Sequence, residues 1–164
     1  MSIKIVDNFL NYNEFLKIKE FMLSDQIRWI FSNYVSEESE TDPNFYFVHH
    51  FYKDYNFCSN FFSILNPILW LLNPKAIIRI KGNMYPKDNL NYLHGYHIDF
   101  PFSHLGAIFY VNSNNGKTFF NNSHEVFSVD SIENRIVFFD PSIPHSSSSH
   151  TDQKVRVNIN FNYF

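Results

Sequence analysis

The sequence predicts an α+β domain, mainly β, in which a double-stranded β-helix (jelly-roll) core carries N-terminal helices packed on it. Three observations lead there. Helix-period apolar patterns stop at Leu72. From Ala76 onward about seven short strand-like runs follow, with no βαβ alternation. The chain of 164 residues holds 20 Phe and 10 Tyr, residues that favour pleated, half-buried surfaces. A length of this size fits one domain, 1–164, helical in about 1–74 and jelly-roll in about 75–164.

Each element has its own signal. Residues 3–6 alternate briefly and predict a short strand. Leu10, Phe15, Ile18 and Met22 lie near helical spacing, with Asn11 or Asn13 as cap, and predict a helix over about 12–23. Residues 28–34 have strand character, and 36–43 form an acidic loop, expected to be solvated rather than a substrate lid. Residues 45–52 predict an aromatic strand. Residues 56–72 predict a second helix that buries Phe61, Phe62, Leu65 and Leu69, bent at Pro67. Strands are then expected near 77–84, 93–99, 105–111, 117–120, 125–129, 134–139 and 153–163. With 4 Gly in the chain, turns fall to Asn, Asp and Ser, and Asn134 is placed to take a left-handed conformation.

Composition narrows the function classes. A net charge of −3 gives no global pull toward nucleic acid or anionic membrane. Cys58 stands alone, so no intrachain disulfide can form, and a reducing compartment fits. The first residues lack the apolar run of a signal peptide, and the stretch 61–72 is far short of the ~20 residues of a membrane span. A soluble, cytoplasmic protein is expected.

The chemistry gathers at Tyr96-His97-Ile98-Asp99-Phe100. Residues i and i+2 of an extended chain point the same way, so His97 and Asp99 converge while Ile98 faces away. Joined by a distant histidine, they form the 2-His-1-carboxylate set of non-haem Fe(II) sites. His145 and His150 compete for the third place. His145 follows a buried strand and Pro144, whereas His150 sits in a polar turn and is expected to be solvated, so His145 is preferred. His49, His50, His94, His104 and His124 are individually expected to be core-edge or surface residues, although His94, three before His97, could shape the mouth of a site.

The last strand alternates cleanly. Val155, Val157, Ile159 and Phe161 share one face, Arg156, Asn158, Asn160 and Asn162 the other. An Arg with three amides points to a polar interior in which each donor needs a partner, and Arg156 offers a fork suited to a carboxylate. Arg79, Lys81 and Lys87 add positive charge nearby and give weak support to a nucleobase substrate.

His97-X-Asp99, His145 and Arg156 together resemble the His-X-Asp…His…Arg pattern of the Fe(II)- and 2-oxoglutarate-dependent dioxygenases. Within that superfamily the text Ile78-Arg79-Ile80-Lys81-Gly82-Asn83-Met84-Tyr85-Pro86, Ser103-His104-X-Gly106-Ala107-Ile108-Phe109, Phe139-Asp140-Pro141-Ser142-X-Pro144-His145 and Arg156 to Tyr163 is most similar to small prolyl-hydroxylase-like oxygenases of phages of marine bacteria. The resemblance is strong over the C-terminal half and loose before it. It implies Fe(II) held by His97, Asp99 and His145, with 2-oxoglutarate and O₂ as cosubstrates. It also implies Arg156 on the distal carboxylate of 2-oxoglutarate, Tyr110 bonded to the same carboxylate, and Tyr85 lining its pocket. Where prolyl hydroxylases often carry a Trp after the anchoring basic residue, this chain has Asn160 and Asn162. Asn158, Asn160 and His94 are the candidates to face substrate.

The expected activity is hydroxylation of a protein or peptide side chain, prolyl among the options, with release of succinate and CO₂. The alternatives are the same chemistry on a nucleobase or small metabolite, or a jelly-roll metal-binding module without turnover. The partners expected are 2-oxoglutarate and a peptide or protein substrate. Nucleic acid is the weaker candidate, no membrane is expected, and a phage-encoded protein would work in the host cytoplasm.

Overall fold

The computed structural model describes residues 3–35, 45–121 and 125–164. Its strands are β1 (Lys4–Val6), β2 (Ile30–Ser32), β3 (Tyr46–Lys53), β4 (Asn56–Phe57), β5 (Ile77–Pro86), β6 (Leu105–Tyr110), β7 (Lys117–Asn121), β8 (Val126–Asp130), β9 (Ile136–Phe139), β10 (His145–Ser147) and β11 (Val155–Tyr163). Two helices, α1 (Tyr12–Met22) and α2 (Asn66–Leu72), precede β5. The major sheet runs β1-β9-β6-β11-β5-β3-β2, with β4 paired to β3, and the minor sheet runs β10-β7-β8. All pairs are antiparallel. Two isolated bridges, Leu93 with Ser148 and His97 with His145, lay residues 93–97 beside β10. The jelly-roll expected from the run of short strands is the fold observed.

β11 sits at the centre of the major sheet and divides the interior in two. Its Val157, Ile159 and Phe161 belong to the main core, with Ala107 and Phe109 of β6 and Phe15, Ile18 and Met22 of α1. α1 starts where the sequence places it. The Asn11 side chain accepts the Glu14 backbone N–H at 3.1 Å, and its Nδ2 donates to Oε2 of Glu14 at 2.6 Å, a reciprocal cap. Asn134 takes the left-handed turn at φ 57°. Its side chain then bonds both backbone groups of Leu10, tying the entry of α1 to the turn before β9.

Several expectations are corrected. Residues 56–72 are not one bent helix: β4 pairs with β3, a 3₁₀ turn spans Phe62–Leu65, and α2 starts afterwards. Pro67 lies in the first turn of α2, where its missing N–H breaks no bond, so it opens a helix instead of bending one. Phe61 is 42% exposed. The strand expected at 93–99 shrinks to the two bridges, and the 28–34 strand to β2. The serine run holds β10 instead. The N-terminal part also adds strands to the core: β1 to β4 all join the major sheet, while α1 packs on it as expected. The acidic loop 36–43 and His124 lie outside the described residues.

No described helix is long and apolar enough to cross a membrane.

Candidate metal centre and anion pocket

The metal-ligand candidates are brought together by backbone pairing between the 93–97 segment and the start of β10. The amide of His97 donates to the carbonyl of His145 and the amide of His145 to that of His97, both at 2.9 Å. Such a doubly bonded pair sets both side chains on the same side, and the two rings stand 4.6 Å apart, centre to centre. Asp99 joins them because its amide donates to the Pro141 carbonyl at 3.0 Å. Ile98, between them, turns outward and is 43% exposed. One donor atom each from His97, Asp99 and His145 lies within 4.8 Å of the others.

The donors are also chemically prepared. Nδ1 of His145 donates to the Ile143 carbonyl at 2.9 Å, which leaves Nε2 bare, 4.0 Å from Oδ2 of Asp99. Nδ1 of His97 is buried without a hydrogen-bond partner. Burial, with His145 adding to it, pushes His97 down to about 4, and burial also lowers His145. Burial works to raise Asp99, but the Arg79 guanidinium, His145 and the Asn160 amide hold it well below the usual carboxylate range. At neutral pH the group is therefore two neutral imidazoles and one carboxylate, ready for a divalent ion without loss of a proton. These residues fit the iron site that the sequence pattern implies.

Asp99 is held on both oxygens. Nη2 of Arg79 donates to Oδ1 at 2.5 Å, and Nδ2 of Asn160 to Oδ2 at 3.0 Å. With Oδ1 occupied by Arg79, Oδ2 is the oxygen turned to His145.

Arg156 is fully buried and lines one cavity with His97 and His145. Its Nε donates to Oγ of Ser131 at 3.0 Å, Nη1 to the Ser148 carbonyl at 3.1 Å, and Nη2 to the Lys117 carbonyl at 3.3 Å and Oγ1 of Thr118 at 3.1 Å. All of these acceptors are neutral, and no carboxylate among the described residues pairs with it. The guanidinium also sits 5.2 Å from the Tyr85 ring. A buried cation whose charge nothing in the described chain neutralises is a site for an anion. Thr118 Oγ1 also accepts the Tyr110 hydroxyl at 2.8 Å, so its own O–H is free to donate.

His97, His145, Arg156, Tyr85, Asn158 and Asn160 thus line one cavity. Tyr110 lies behind Arg156, fully buried, and reaches the cavity through Thr118. His94 does not line it. Its ring stacks behind Tyr85 at 5.8 Å, its Nδ1 meets Oγ of Ser147 at 2.8 Å, and it opens onto a separate cleft with Asp88 and Tyr92. His150 is fully buried rather than solvated and stands outside the donor group. Residues 146–149 carry it inward, closing on Tyr92 and Leu90 through Ser149. Nothing in the sequence marks Thr118, and Lys81 stands out only as diffuse positive charge. The signal for Lys81 was present: Arg79, Lys81, Asn83 and Tyr85 share one face of β5, the same alternation that marks β11.

No family model and no curated protein matches the sequence. Solved structures do match the fold. A prolyl hydroxylase from Trichoplax adhaerens, in complex with a peptide fragment of the hypoxia inducible factor oxygen degradation domain, superposes with a TM-score of 0.71 at 17% identity, covering 99% of this chain and 83% of that one. A 2OG-Fe(II) oxygenase family oxidoreductase from Burkholderia pseudomallei gives 0.72 at 10% identity, over 98% and 84%. The fold is that of the 2-oxoglutarate–Fe(II) oxygenases. HygX from Streptomyces hygroscopicus, with nickel and 2-oxoglutarate bound, gives 0.63 at 11% identity, over 98% and 82%.

Proposed function

We propose that this chain is an Fe(II)- and 2-oxoglutarate-dependent dioxygenase that hydroxylates a protein or peptide side chain and releases succinate and CO₂. One observation carries the reading: His97 and His145, which group with Asp99 as metal donors, line the same cavity as the unneutralised guanidinium of Arg156. When bound, iron supplies the oxygen chemistry. The protein's part is positioning. His145 is oriented by the Ile143 carbonyl, Asp99 by Arg79 and Asn160, and the distal carboxylate of 2-oxoglutarate is fixed by Arg156 with the Thr118 hydroxyl. Burial keeps the Tyr85 and Tyr110 phenols protonated: Tyr85 lines the cavity itself, and Tyr110 donates to Thr118, leaving the Thr118 O–H to face the carboxylate. The fold neighbours include a prolyl hydroxylase holding a peptide, which supports the substrate class. The phage-type motifs support a place among the small phage oxygenases and, with it, the host cytoplasm.

The test is anaerobic titration with Fe(II) and 2-oxoglutarate, following the visible metal-to-ligand charge-transfer band. The band is expected in the wild type, absent in Asp99→Ala, and weakened in Arg156→Ala. Iron-loaded, folded protein without a band would overturn the assignment and leave a metal-binding module.

A further inference from the structure

Lys81 is a cation of the cavity that this function leaves without a counter-charge. It stands on β5 opposite Asn160 of β11, and the Asn160 amide holds Asp99. Its side chain lines the cavity with His97, His145 and Arg156. Among the described residues its ammonium has one hydrogen bond, to the Tyr46 hydroxyl at 3.3 Å, and lies 5.5 Å from that ring. No described carboxylate comes within 4.0 Å of it. Arg79, Lys53 and Asp99 are the charged groups that act on it, and burial pushes its pKa down.

The two neighbouring arginines are committed. Arg79 holds Oδ1 of Asp99, and Arg156 holds the cosubstrate in the function proposed above. The registers separate Lys81 from Arg156. Arg156 pairs with Tyr85, whereas Lys81 pairs with Asn160, four residues further along β11, about 13 Å at strand rise. Lys81 therefore stands at the level of the metal ligands, where substrate must approach, and not at the anchoring end. A half-buried ammonium with no carboxylate beside it favours a counter-charge, and a lysine supplies a compact point charge suited to a single carboxylate or phosphate oxygen.

We propose that Lys81 is a specificity-determining residue whose ammonium pairs with an anionic oxygen group on the substrate, close to the C–H bond that is attacked. The inference rests on the dioxygenase reading and narrows its substrates to acidic ones.

The experiment is isothermal titration of Zn(II)-loaded protein saturated with 2-oxoglutarate, using N-acetyl-L-glutamate, its uncharged partner N-acetyl-L-glutamine, and inorganic phosphate. Wild type and Lys81→Arg are expected to bind at least one anion ten-fold or more tighter than the amide. Lys81→Met, which keeps the apolar stem, is expected to lose that preference while its Kd for 2-oxoglutarate stays within about two-fold. Stronger binding of phosphate than of glutamate would identify a phosphorylated substrate, and the reverse a carboxylate. The proposal is overturned if the wild type binds no anion better than the amide, or if the preference survives in Lys81→Met. It is also overturned if Lys81→Met loses 2-oxoglutarate as severely as Arg156→Met, since Lys81 would then belong to the cosubstrate anchor. Wild type that fails to bind 2-oxoglutarate overturns the dioxygenase reading instead, and anion preference is then scored without it.

Discussion

The two faces of β11 belong to one strand with one set of backbone bonds, yet they do opposite work. Val157, Ile159 and Phe161 are at most 1% exposed and pack into the core built by α1 and β6. Arg156, Asn158, Asn160 and Asn162 are almost as deeply buried, and each has a polar partner. Burial of the first set removes apolar area from water and stabilises the fold. Burial of the second set gains little net stability, because each bond replaces one made to water. It holds donors in fixed positions and leaves a guanidinium charge with no acid beside it. Stability and binding are therefore separable along a single strand, and substitutions on its two faces should separate them.

The largest effect on folding should come from the apolar face. Phe161→Ala is expected to lower unfolding stability by about 3–5 kcal/mol in urea titrations, while the folded fraction keeps its 2-oxoglutarate affinity within about three-fold. Arg156→Met should do the reverse. We expect 2-oxoglutarate affinity to fall about 100-fold, equivalent to about 2.7 kcal/mol, with a smaller change in unfolding stability than Phe161→Ala. Removal of a buried, unneutralised charge offsets much of the loss of its neutral hydrogen bonds. If Arg156→Met unfolds the protein as severely as Phe161→Ala, the polar face is a structural network and the contrast between the faces fails.

The two faces were not equally legible in the sequence. The period-2 pattern of β11 and the 3.6-period of α1 exposed the apolar core, because burial enforces periodicity directly. His97 and Asp99 were visible through their spacing, and Arg156 through its place among three asparagines. Thr118 left no trace, since one threonine in a strand of aromatics carries no pattern, and only the pairing of β7 beside β10 sets it against Arg156. His150 was misplaced because a run of serines looks like a solvated turn. Those hydroxyls instead bond backbone groups at Leu90, Tyr92 and His94, which draws the segment inward. The helix expected over 56–72 failed at Pro67, where local sequence alone does not distinguish a bend from a start.

One glycine couples the core to the site. A Cβ on Gly106 of β6 would fall 2.2 Å from Cγ and 2.9 Å from Cδ of Pro141, a ring that cannot swing aside. The Pro141 carbonyl receives the Asp99 amide. Gly106→Ala should therefore cost about 1–3 kcal/mol by overpacking and also weaken metal binding roughly ten-fold, measured by competition with a chromophoric chelator. A loss of stability with metal affinity unchanged would show that Asp99 is positioned by Arg79 and Asn160 alone.

The smallest effect, and the most selective, is the response to acid. His97 and His50 are pushed down to about 4, chiefly by burial, and burial also lowers His145 and His150. A histidine whose folded pKa lies below its unfolded value of 6.5 stays neutral in the native state, while the unfolded chain takes up the proton. Its contribution to stability is complete above pH 6.5 and is lost as the pH falls from there toward 4. For His97 the loss should reach about 1.4 kcal/mol by pH 5.5 in metal-free protein. Asp99 does not blur this window. Its folded pKa is depressed, so its contribution is lost only as the pH falls below the ordinary 3.8. The apolar face has nothing to titrate, so Phe161→Leu should shift the whole stability curve down without changing its slope between pH 7.5 and 5.5. His97→Asn should flatten the slope by about one proton's share. An unchanged slope in His97→Asn would mean that the acid response comes from His50, His145 and His150, and that the imidazole at position 97 is protonated as readily in the folded protein as in water.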